Sequence, residues 1–449
     1  MRGVPKWYQG GDLNSRPRAY ESPALPLSYP GTKTGGKHPS FTPRIASREF
    51  AVQIKWSRSR TSAAFFYPLK IALIHFTAPP LAGGVERVVG EQIRLLRARG
   101  HTVSLACFEG GGMASGADTH IPLSRAASAD EFSTYLGSAL SGTDVILMHN
   151  VCTMPFVPAL TEALRRLPAL VPSARWICWV HDLALGDPDY AALRSAPHAK
   201  VFTLPCAEWE YVAVSDLRAR EVEELLEVPC TIVPNGVDPG FTLQLSPKIA
   251  ALAEASGWWE ADAVFLHPAR ILPRKTLELG IQLTHAARAQ GFRLQILLTG
   301  AEDLQTPAHA AYAKYLKTLT ASLKLQDAVF FLGDTMEIGP KEFCDFYQIA
   351  DALLFPGQRE GFGLPVLEAG VFGKLVFCPD CEPLSILPGA VTYDPELPVG
   401  ELAAWFISRI RERETIMARR KILRDYRWPS IYHNHIAPLL SRLPLLYHP

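Results

Sequence analysis

The sequence has no excess of charge of either sign. Its 449 residues include 45 Lys and Arg residues and 44 Asp and Glu residues, which gives a formal net charge of +1. Proteins that bind nucleic acid usually carry a basic surface, because each phosphate contact needs a cation. The composition therefore indicates no nucleic-acid partner, although a local basic patch against a phosphate or a membrane stays open.

Long apolar runs are also missing. No run in the sequence approaches the roughly 20 residues that a helix needs to span a bilayer. A secretory signal, with an apolar core and a cleavage site, is not recognisable either. We therefore expect a cytoplasmic protein and leave open a peripheral contact with the inner face of the membrane.

Cysteine is scarce, and its spacing gives little indication of a metal site. The eight cysteines are scattered, and most lie in apolar runs, where a thiol packs as a small hydrophobic group. Only Cys378 and Cys381 have C-x-x-C spacing, and a zinc site normally needs a second ligand pair. We favour two reduced thiols over a metal or redox pair, and we expect neither a metal site nor a resident cofactor.

The first 67 residues differ from the rest of the chain. They are rich in Pro, Gly, Ser and Arg, and no helical or strand period lasts for more than a few residues. We expect residues 1–67 to be a disordered leader. A start codon placed upstream of the true one would explain its composition, and a genuine flexible tail is the alternative.

Beyond the leader, short apolar runs alternate with amphipathic segments. The run from Lys70 to Phe76 and the helical face from Val85 to Leu96 form a βαβ opening. The alternation includes a predicted strand near 201–205, and a second block starts near 263. Two such blocks indicate an α/β chain with two open parallel sheets. The predicted domains are Rossmann-like units over 68–240 and 241–430, followed by a C-terminal helix or tail over 431–449.

The most informative loop runs from Pro356 to Gly370 and follows a predicted strand at 352–355. Ligands bind at the carboxyl ends of strands in open α/β folds. Gly361 and Gly363 free the backbone just before a helix whose first turn accommodates Pro365, so amide groups there could face an anion such as a diphosphate.

Two glutamates accompany this loop. Glu360 lies within it, and Glu368 lies one turn into the helix. Carboxylates on either side of a bound phosphate could accept hydrogen bonds from sugar or ribose hydroxyls. A glycine-rich turn with a glutamate that stabilises the helix dipole is an equal alternative.

A second loop, from His267 to Glu278, also follows a predicted strand. Arg270 and Lys275 could converge on a diphosphate, Arg as a planar fork and Lys as a point charge. Three cations near a helix start oppose the helix dipole unless an anion compensates them. This favours an anion site over a solvated basic loop, which stays the alternative.

Two weaker features lie in the first half. Gly83 and Gly84 precede the first long helix and permit a close backbone approach to a ligand. His181 ends a predicted strand and could donate a hydrogen bond to a sugar hydroxyl or an acceptor. Taken alone, a single histidine is more often structural.

These motifs together resemble the family 4 glycosyltransferases of GT-B architecture. The resemblance covers about residues 70–436. The segments that carry it are the E-x7-E pair Glu360 and Glu368, the R-x4-K pair Arg270 and Lys275, Gly83-Gly84-Val85-Glu86, Ala213-Val214-Ser215 and Val233-Pro234-Asn235-Gly236-Val237-Asp238.

The resemblance implies two Rossmann-like domains whose parallel sheets face a central cleft, with the acceptor on the N-terminal side and the nucleotide-sugar on the C-terminal side. It implies that Glu360 holds donor-sugar hydroxyls, that Glu368 holds the ribose, and that Arg270 and Lys275 neutralise the diphosphate. His181 would stand near the reaction centre. The remaining donor-binding positions that it implies are Gly83, Gly84, Gly361, Phe362, Gly363 and Leu364.

The activity that the resemblance implies is retaining, metal-independent transfer of a hexosyl group. Mannose from GDP-mannose and glucose from UDP-glucose are the leading donors, and the acceptor would be a glycan, a lipid or a small molecule. A nucleotide-sugar epimerase and a sugar-nucleotide-binding protein without transferase activity are the alternatives. The chain departs from the family pattern at His267-Pro268-Ala269, where glycine often precedes the arginine, and at Cys381 and Glu382.

Overall fold

The structure of the protein is a computed structural model, which describes residues 67–301 and 306–441. The leader expected over residues 1–67 therefore lies, except for Tyr67, outside the described residues. The remainder contains two parallel sheets flanked by helices, which confirms the predicted α/β class with two Rossmann-like halves.

The first sheet has seven strands, all paired in parallel, in the spatial order β3-β2-β1-β4-β5-β6-β7. Its strands are β1 Lys70–Ile74, β2 Thr102–Cys107, β3 Thr119–Pro122, β4 Val145–His149, β5 Arg175–Val180, β6 Trp209–Ala213 and β7 Cys230–Ile232. Because helices cover both faces, every residue of β4 and β5 is buried, and apart from His149 and Arg175 both strands are apolar.

The second sheet has six strands, also parallel, in the order β10-β9-β8-β11-β12-β13. Its strands are β8 Ala263–His267, β9 Leu294–Leu298, β10 Val329–Phe331, β11 Ala352–Leu354, β12 Leu375–Pro379 and β13 Ala390–Tyr393. The strand order reverses between β1 and β4 in one sheet and between β8 and β11 in the other. Ligands of open α/β sheets bind beside such reversals, at the carboxyl ends of the strands.

Helices connect the strands in both halves. In the first half they are α1 Gly84–Ala98, α2 Ala129–Ala139, α3 Pro158–Leu170, α4 Ala199–Thr203, α5 Asp216–Leu226 and α6 Pro239–Thr242. Those that follow are α7 Pro247–Ala255, α8 Leu277–Ala289, α9 Pro307–Ser322, α10 Leu332–Thr335, α11 Pro340–Ile349, α12 Leu364–Val371, α13 Val399–Arg411, α14 Glu414–Asp425, α15 Trp428–Ile431 and α16 Ala437–Leu440. None of the helices within the described ranges is both long and apolar enough to cross a membrane.

In the first half one predicted strand is wrong, and one observed strand was not predicted. The strand predicted near 201–205 is wrong, because this stretch forms the short helix α4 and ends before Pro205. Phe202 alone carries it into the core, so one buried side chain was mistaken for a buried strand. The edge strand β3 was not predicted, since it is four residues long and contains Pro122, which suits only an edge.

The chain crosses from the first half to the second near Val237 and crosses back near Arg427, and these two crossings lie side by side. The Val237 amide donates to the Tyr426 carbonyl (2.7 Å), and the Trp428 amide donates to the Val237 carbonyl (3.3 Å). A Cβ atom on Gly236 would lie 2.6 Å from the Trp428 ring, so only glycine fits there. Between α14 and α15 the helical path is broken at Arg427, whose backbone is extended.

A buried ion pair fastens α14 to the second sheet. Asp351 precedes β11, is 3% exposed, and accepts a hydrogen bond from the Val264 amide (2.8 Å). Its carboxylate also pairs with Arg419 and with Arg420, which is 1% exposed. Removing one partner of such a pair leaves the other charge buried without compensation.

We therefore expect Asp351→Ala to lower the free energy of unfolding by about 3 to 5 kcal/mol, because two guanidinium groups lose their anion. Urea denaturation at neutral pH measures the change. The matched control is Glu412→Ala, which removes a surface pair with Arg409 and should cost less than about 1 kcal/mol. An equal loss in both variants would contradict this account.

Candidate active site

Two loops of the second half meet at the carboxyl ends of β8 and β11. After β8, a 3-10 turn over Pro273–Lys275 leads into Thr276, whose backbone is left-handed (φ 52°) before α8 begins. Lys275 thereby reaches the loop after β11, where its ammonium group donates to Oε1 of Glu360. The Lys275 nitrogen also lies 5.1 Å from the centre of the Phe355 ring.

This ion pair is largely withdrawn from water. The side chains of Lys275 and Glu360 are 12% and 8% exposed. Taking two charges out of water costs several kcal/mol per ion, so burial of this pair contributes little net stability. The structure thus brings together the two residues that the sequence assigned to the leaving group and to the sugar.

The loop after Glu360 offers a site for an anion at the start of α12. The amides of residues 361–364 have no hydrogen-bond acceptor among the described residues. Gly363 has a left-handed backbone (φ 95°), and a Cβ atom there would lie 2.7 Å from Leu384 Cδ2. Phe362 and Leu364 are 53% and 61% exposed. Free amides before a helix that begins with Leu364-Pro365 suit a phosphate group.

Two further strand-end loops pack backbone against backbone beside the loop after β8. A Cβ atom on Gly300, after β9, would lie 2.0 Å from the Ala269 carbonyl oxygen. A Cβ atom on Gly333, after β10, would lie 2.5 Å from the Gly300 carbonyl oxygen. Neither contact tolerates a side chain, and sequence reasoning identified neither as a packing constraint.

The structure does not draw Arg270 or Glu368 into the Lys275–Glu360 pair. Arg270 is exposed and has no hydrogen-bond or ion-pair partner in the described part of the chain. Glu368 accepts a hydrogen bond from the Tyr347 hydroxyl (2.9 Å), and burial raises the pKa of that phenol. Tyr347 is itself stacked on Phe372, with ring centres 5.0 Å apart. Glu368 is therefore held at a separate point of the helix.

In the first half, the Gly83-Gly84 pair adjoins a carboxylate. Gly83 has an extended backbone (φ −172°) that any residue could adopt. Its constraint is steric, because a Cβ atom would lie 1.9 Å from Oε2 of Glu86. The other oxygen of Glu86 accepts a hydrogen bond from the Thr77 hydroxyl and lies 3.8 Å from Nε2 of His75. A Cβ atom on Gly84 would meet nothing within 4 Å.

His181 lies directly after β5 and is 8% exposed. Its Nε2 atom is 3.0 Å from Nδ1 of His149, the last residue of β4. Burial, followed by the nearby His75, lowers the pKa of His181 to about 3, so its imidazole is neutral at physiological pH. A neutral imidazole can hydrogen-bond a substrate, but it cannot serve as a charged acid.

The residues around His181 were not predicted. His75 and His149 stand at the ends of β1 and β4, and Asn150 follows β4. The rule that singled out His181, a polar residue after a buried strand, applies to each of them. They were missed because each histidine was considered alone.

A buried histidine also lies beside the Lys275–Glu360 pair in the second half. His267 ends β8, is 0% exposed, and neither of its ring nitrogens has a hydrogen-bond partner among the described residues. Burial, together with the charge of Lys275, lowers the pKa of His267 to about 3. It belongs to the segment His267-Pro268-Ala269, where the chain departs from the family pattern, and its ring stays neutral beside the ion pair.

Each half of the chain matches a known protein family. Residues 82–241 match the family described as Glycosyltransferase Family 4, and residues 249–385 match the family described as Glycosyl transferases group 1. The trehalose synthase of Rubrobacter xylanophilus is 24% identical over 325 residues, which are 66% of this chain and 71% of that protein.

Solved structures of similar proteins include two from bacteria. A glycosyltransferase from Rickettsia africae ESF-5 is 16% identical, with a TM-score of 0.34 over 83% of this chain and 98% of that one. Anabaena Alr3699/HepE in complex with UDP is also 16% identical, with a TM-score of 0.35 over 84% of this chain and 100% of that one.

The low pKa of His267 predicts a specific acid sensitivity. Between pH 7 and pH 5 an unfolded histidine takes up a proton, whereas folded His267 does not, so acid favours unfolding. We expect His267→Asn to lose about 2 kcal/mol less of its unfolding free energy over this interval than the wild type. Urea denaturation at both pH values tests this. The exposed His285→Asn is the control, and an unchanged pH dependence in His267→Asn would refute the assignment.

Proposed function

Because the chain belongs to glycosyltransferase family 4, with its GT-B architecture, we propose that it transfers a hexosyl group from a nucleotide-diphosphate sugar to an acceptor hydroxyl and retains the anomeric configuration. Glycosyltransferase activity follows from the family. The finer parts of the proposal are mannose or glucose as the sugar, GDP or UDP as the leaving group, and a glycan, lipid or small molecule as the acceptor.

The observation that carries the proposal is the buried contact between Lys275 and Glu360. A diphosphate beside Lys275 would pair with the ammonium group as negative charge builds on the leaving oxygen. The free amides before α12 would face the same anion. Glu360 would then accept hydrogen bonds from the sugar hydroxyls. A purely structural pair would have no need of unoccupied donors beside it.

The chemistry of retention fits a site without a strong base. In front-side attack the departing phosphate oxygen accepts the proton of the incoming hydroxyl, while negative charge is compensated by fixed cations and dipoles. His181, neutral and 8% exposed, would donate a hydrogen bond near the sugar and would not take up the proton. In this proposal Lys275, Arg270 and the loop amides provide the positive charge, and no divalent metal or cofactor is required.

We further propose a cytoplasmic enzyme, with a contact at the inner membrane face if the acceptor is a lipid. The eight cysteines support the cytoplasmic location, because all are free thiols. Of the five in the first half, four are buried. Persisting free thiols are typical of a reducing compartment.

A donor panel tests the proposed reaction. The purified chain is incubated with GDP-mannose, GDP-glucose, UDP-mannose or UDP-glucose and a set of glycan and lipid acceptors. We expect nucleoside diphosphate release, an α-linked product from an α-linked donor in NMR spectra, and full activity in excess chelator. Donor binding without nucleoside diphosphate release would favour a binding protein. A recovered nucleotide-sugar with one inverted sugar centre would favour an epimerase. Activity lost to chelator and restored by manganese would contradict metal independence.

The charge of Lys275 should matter most in the transition state. Lys275→Ala should lower kcat by about a hundredfold, and by more than it weakens donor binding, because charge builds on the leaving oxygen in a water-poor site. Arg270→Lys keeps the charge but loses the planar fork, so it should retain more activity than Arg270→Ala. Steady-state kinetics measure both. A rise in the donor KM alone would assign Lys275 to uniform binding.

The two glutamates should have separable effects. Glu360→Gln should lower kcat strongly and leave nucleoside diphosphate binding intact, because the carboxylate meets the sugar and Lys275. Glu368→Gln should weaken nucleoside diphosphate binding, because this residue is expected at the ribose. Calorimetric titration and steady-state kinetics give the two readouts. Tyr347→Phe is the control that removes the hydroxyl's hydrogen bonds to Glu368 and to the Pro365 carbonyl and leaves the Glu368 carboxylate in place. Equal losses of affinity with kcat unchanged would refute the assignment.

A further inference from the structure

The end of β4 holds His181 at two points, through its side chain and through its backbone. We propose that His149 and Asn150 are positioning residues that fix His181 as the Nδ1-protonated tautomer, with its Nδ1–H group available to a hydroxyl oxygen of the transferred sugar. The inference rests on the proposed function for the role of His181, but the tautomer itself is a property of the free protein.

Asn150 fixes the backbone after β5. Its side-chain oxygen accepts hydrogen bonds from the amides of His181 (2.9 Å) and Asp182 (3.0 Å). Its side-chain nitrogen donates to a carboxylate oxygen of Asp182 (3.0 Å). Asn150 has a left-handed backbone (φ 58°), which costs energy for a residue other than glycine and places its amide group across the neighbouring strand.

His149 fixes the ring. Its Nδ1 atom lies 3.0 Å from Nε2 of His181, so one of the two nitrogens must carry the shared hydrogen. The His149 ring is 0% exposed and stacks on Trp179, with ring centres 5.3 Å apart. Nδ1 of His75 donates to the His149 carbonyl oxygen (2.8 Å), which fastens the end of the strand from the other side. The ring therefore has little freedom to turn.

The second nitrogen of His149 decides which ring donates. Nε2 of His149 is buried and has no partner among the described residues. If His181 donated, a neutral His149 would carry its hydrogen on Nε2, which would leave an N–H donor buried and unsatisfied. If His149 donates from Nδ1, only a weak lone pair is left without a partner. Buried N–H groups without an acceptor are rarer than unfilled acceptors, so the second arrangement is favoured.

A donating His149 determines what His181 offers to a substrate. Nε2 of His181 is then occupied as an acceptor, and the proton of the neutral ring sits on Nδ1. His181 presents a hydrogen-bond donor of fixed direction, and it has no free basic nitrogen. This suits recognition of a hydroxyl oxygen at the sugar, whereas the opposite tautomer would suit removal of a proton.

The tautomer can be measured directly on the full chain. Two-bond 15N–1H correlation spectra of the protein labelled at its histidines distinguish Nδ1–H from Nε2–H rings, and the spectra of single variants assign the signals of residues 149 and 181. We expect both rings to be neutral and protonated on Nδ1. A signal showing His181 protonated on Nε2, or a rapid average of both forms, would overturn the proposal whatever the activity of any variant.

Two substitutions at residue 149 form a matched pair. His149→Asn places an amide donor close to the Nδ1 position, so it should keep His181 protonated on Nδ1 and keep kcat within about threefold. His149→Phe keeps an aromatic ring over Trp179 but removes the donor, so it should release the tautomer and lower kcat by about tenfold with little change in the donor KM. His101→Asn, at the opposite end of the same sheet, should change neither.

The outcomes separate this inference from the proposed function. An intact Nδ1–H signal in His149→Phe would show that residue 149 does not fix the tautomer, even if transfer were confirmed. A shifted tautomer in His149→Phe with unchanged kcat would leave the positioning intact and refute the role given to His181 at the sugar. Should His149→Phe not fold, the wild-type spectrum and His149→Asn still decide the tautomer.

Discussion

The parallel pairing of the strands is the constraint on which both candidate sites depend. The carboxyl ends of all strands in a parallel sheet lie on the same side. Each strand continues there through a loop whose amides and carbonyls are not used in the hydrogen bonds between strands. His149 and His181 terminate neighbouring strands of the first sheet, and the Lys275 and Glu360 loops leave neighbouring strands of the second. Residues 32 and 85 positions apart in sequence thus come into contact without any special arrangement of the chain between them.

The two sites use this common geometry for opposite electrostatic purposes. In the second half, Lys275 and Glu360 place opposite charges in a poorly hydrated position, where each depends on the other for compensation. In the first half, burial keeps His149 and His181 neutral, so that their ring nitrogens act through direction and not through charge. In the proposed function the first arrangement suits a charged leaving group, and the second suits uncharged sugar hydroxyls.

The sequence predicted the strands that are buried on both faces from their apolar runs, and it failed at two short elements of the first half. The β3 edge strand and the α4 helix each carry too few apolar residues for a period to be visible. At the site, the E-x7-E and R-x4-K spacings pointed to Glu360 and Lys275. Their direct contact depends on the pairing of β8 with β11, which no local pattern records.

The same limit explains the histidines. Whether His149 meets His181 depends on the register of β4 against β5, in which His149 is paired with Trp179. That register places His181 two residues beyond the paired position, on the same face of the sheet as His149. At Gly83 a Cβ atom would meet the Glu86 carboxylate, a steric constraint that no local sequence pattern records either.

The C-terminal segment shows why the first half is not built from one continuous stretch of chain. Asp351 binds the middle of α14 to the second sheet through Arg419 and Arg420. Directly after the break at Arg427, Trp428 and the residues up to Leu440 pack against the core of the first sheet. The first half therefore closes only after the second half has been completed in sequence. Because Gly236 admits the Trp428 ring at the point where the two crossings meet, a single small residue allows both connections to share one place.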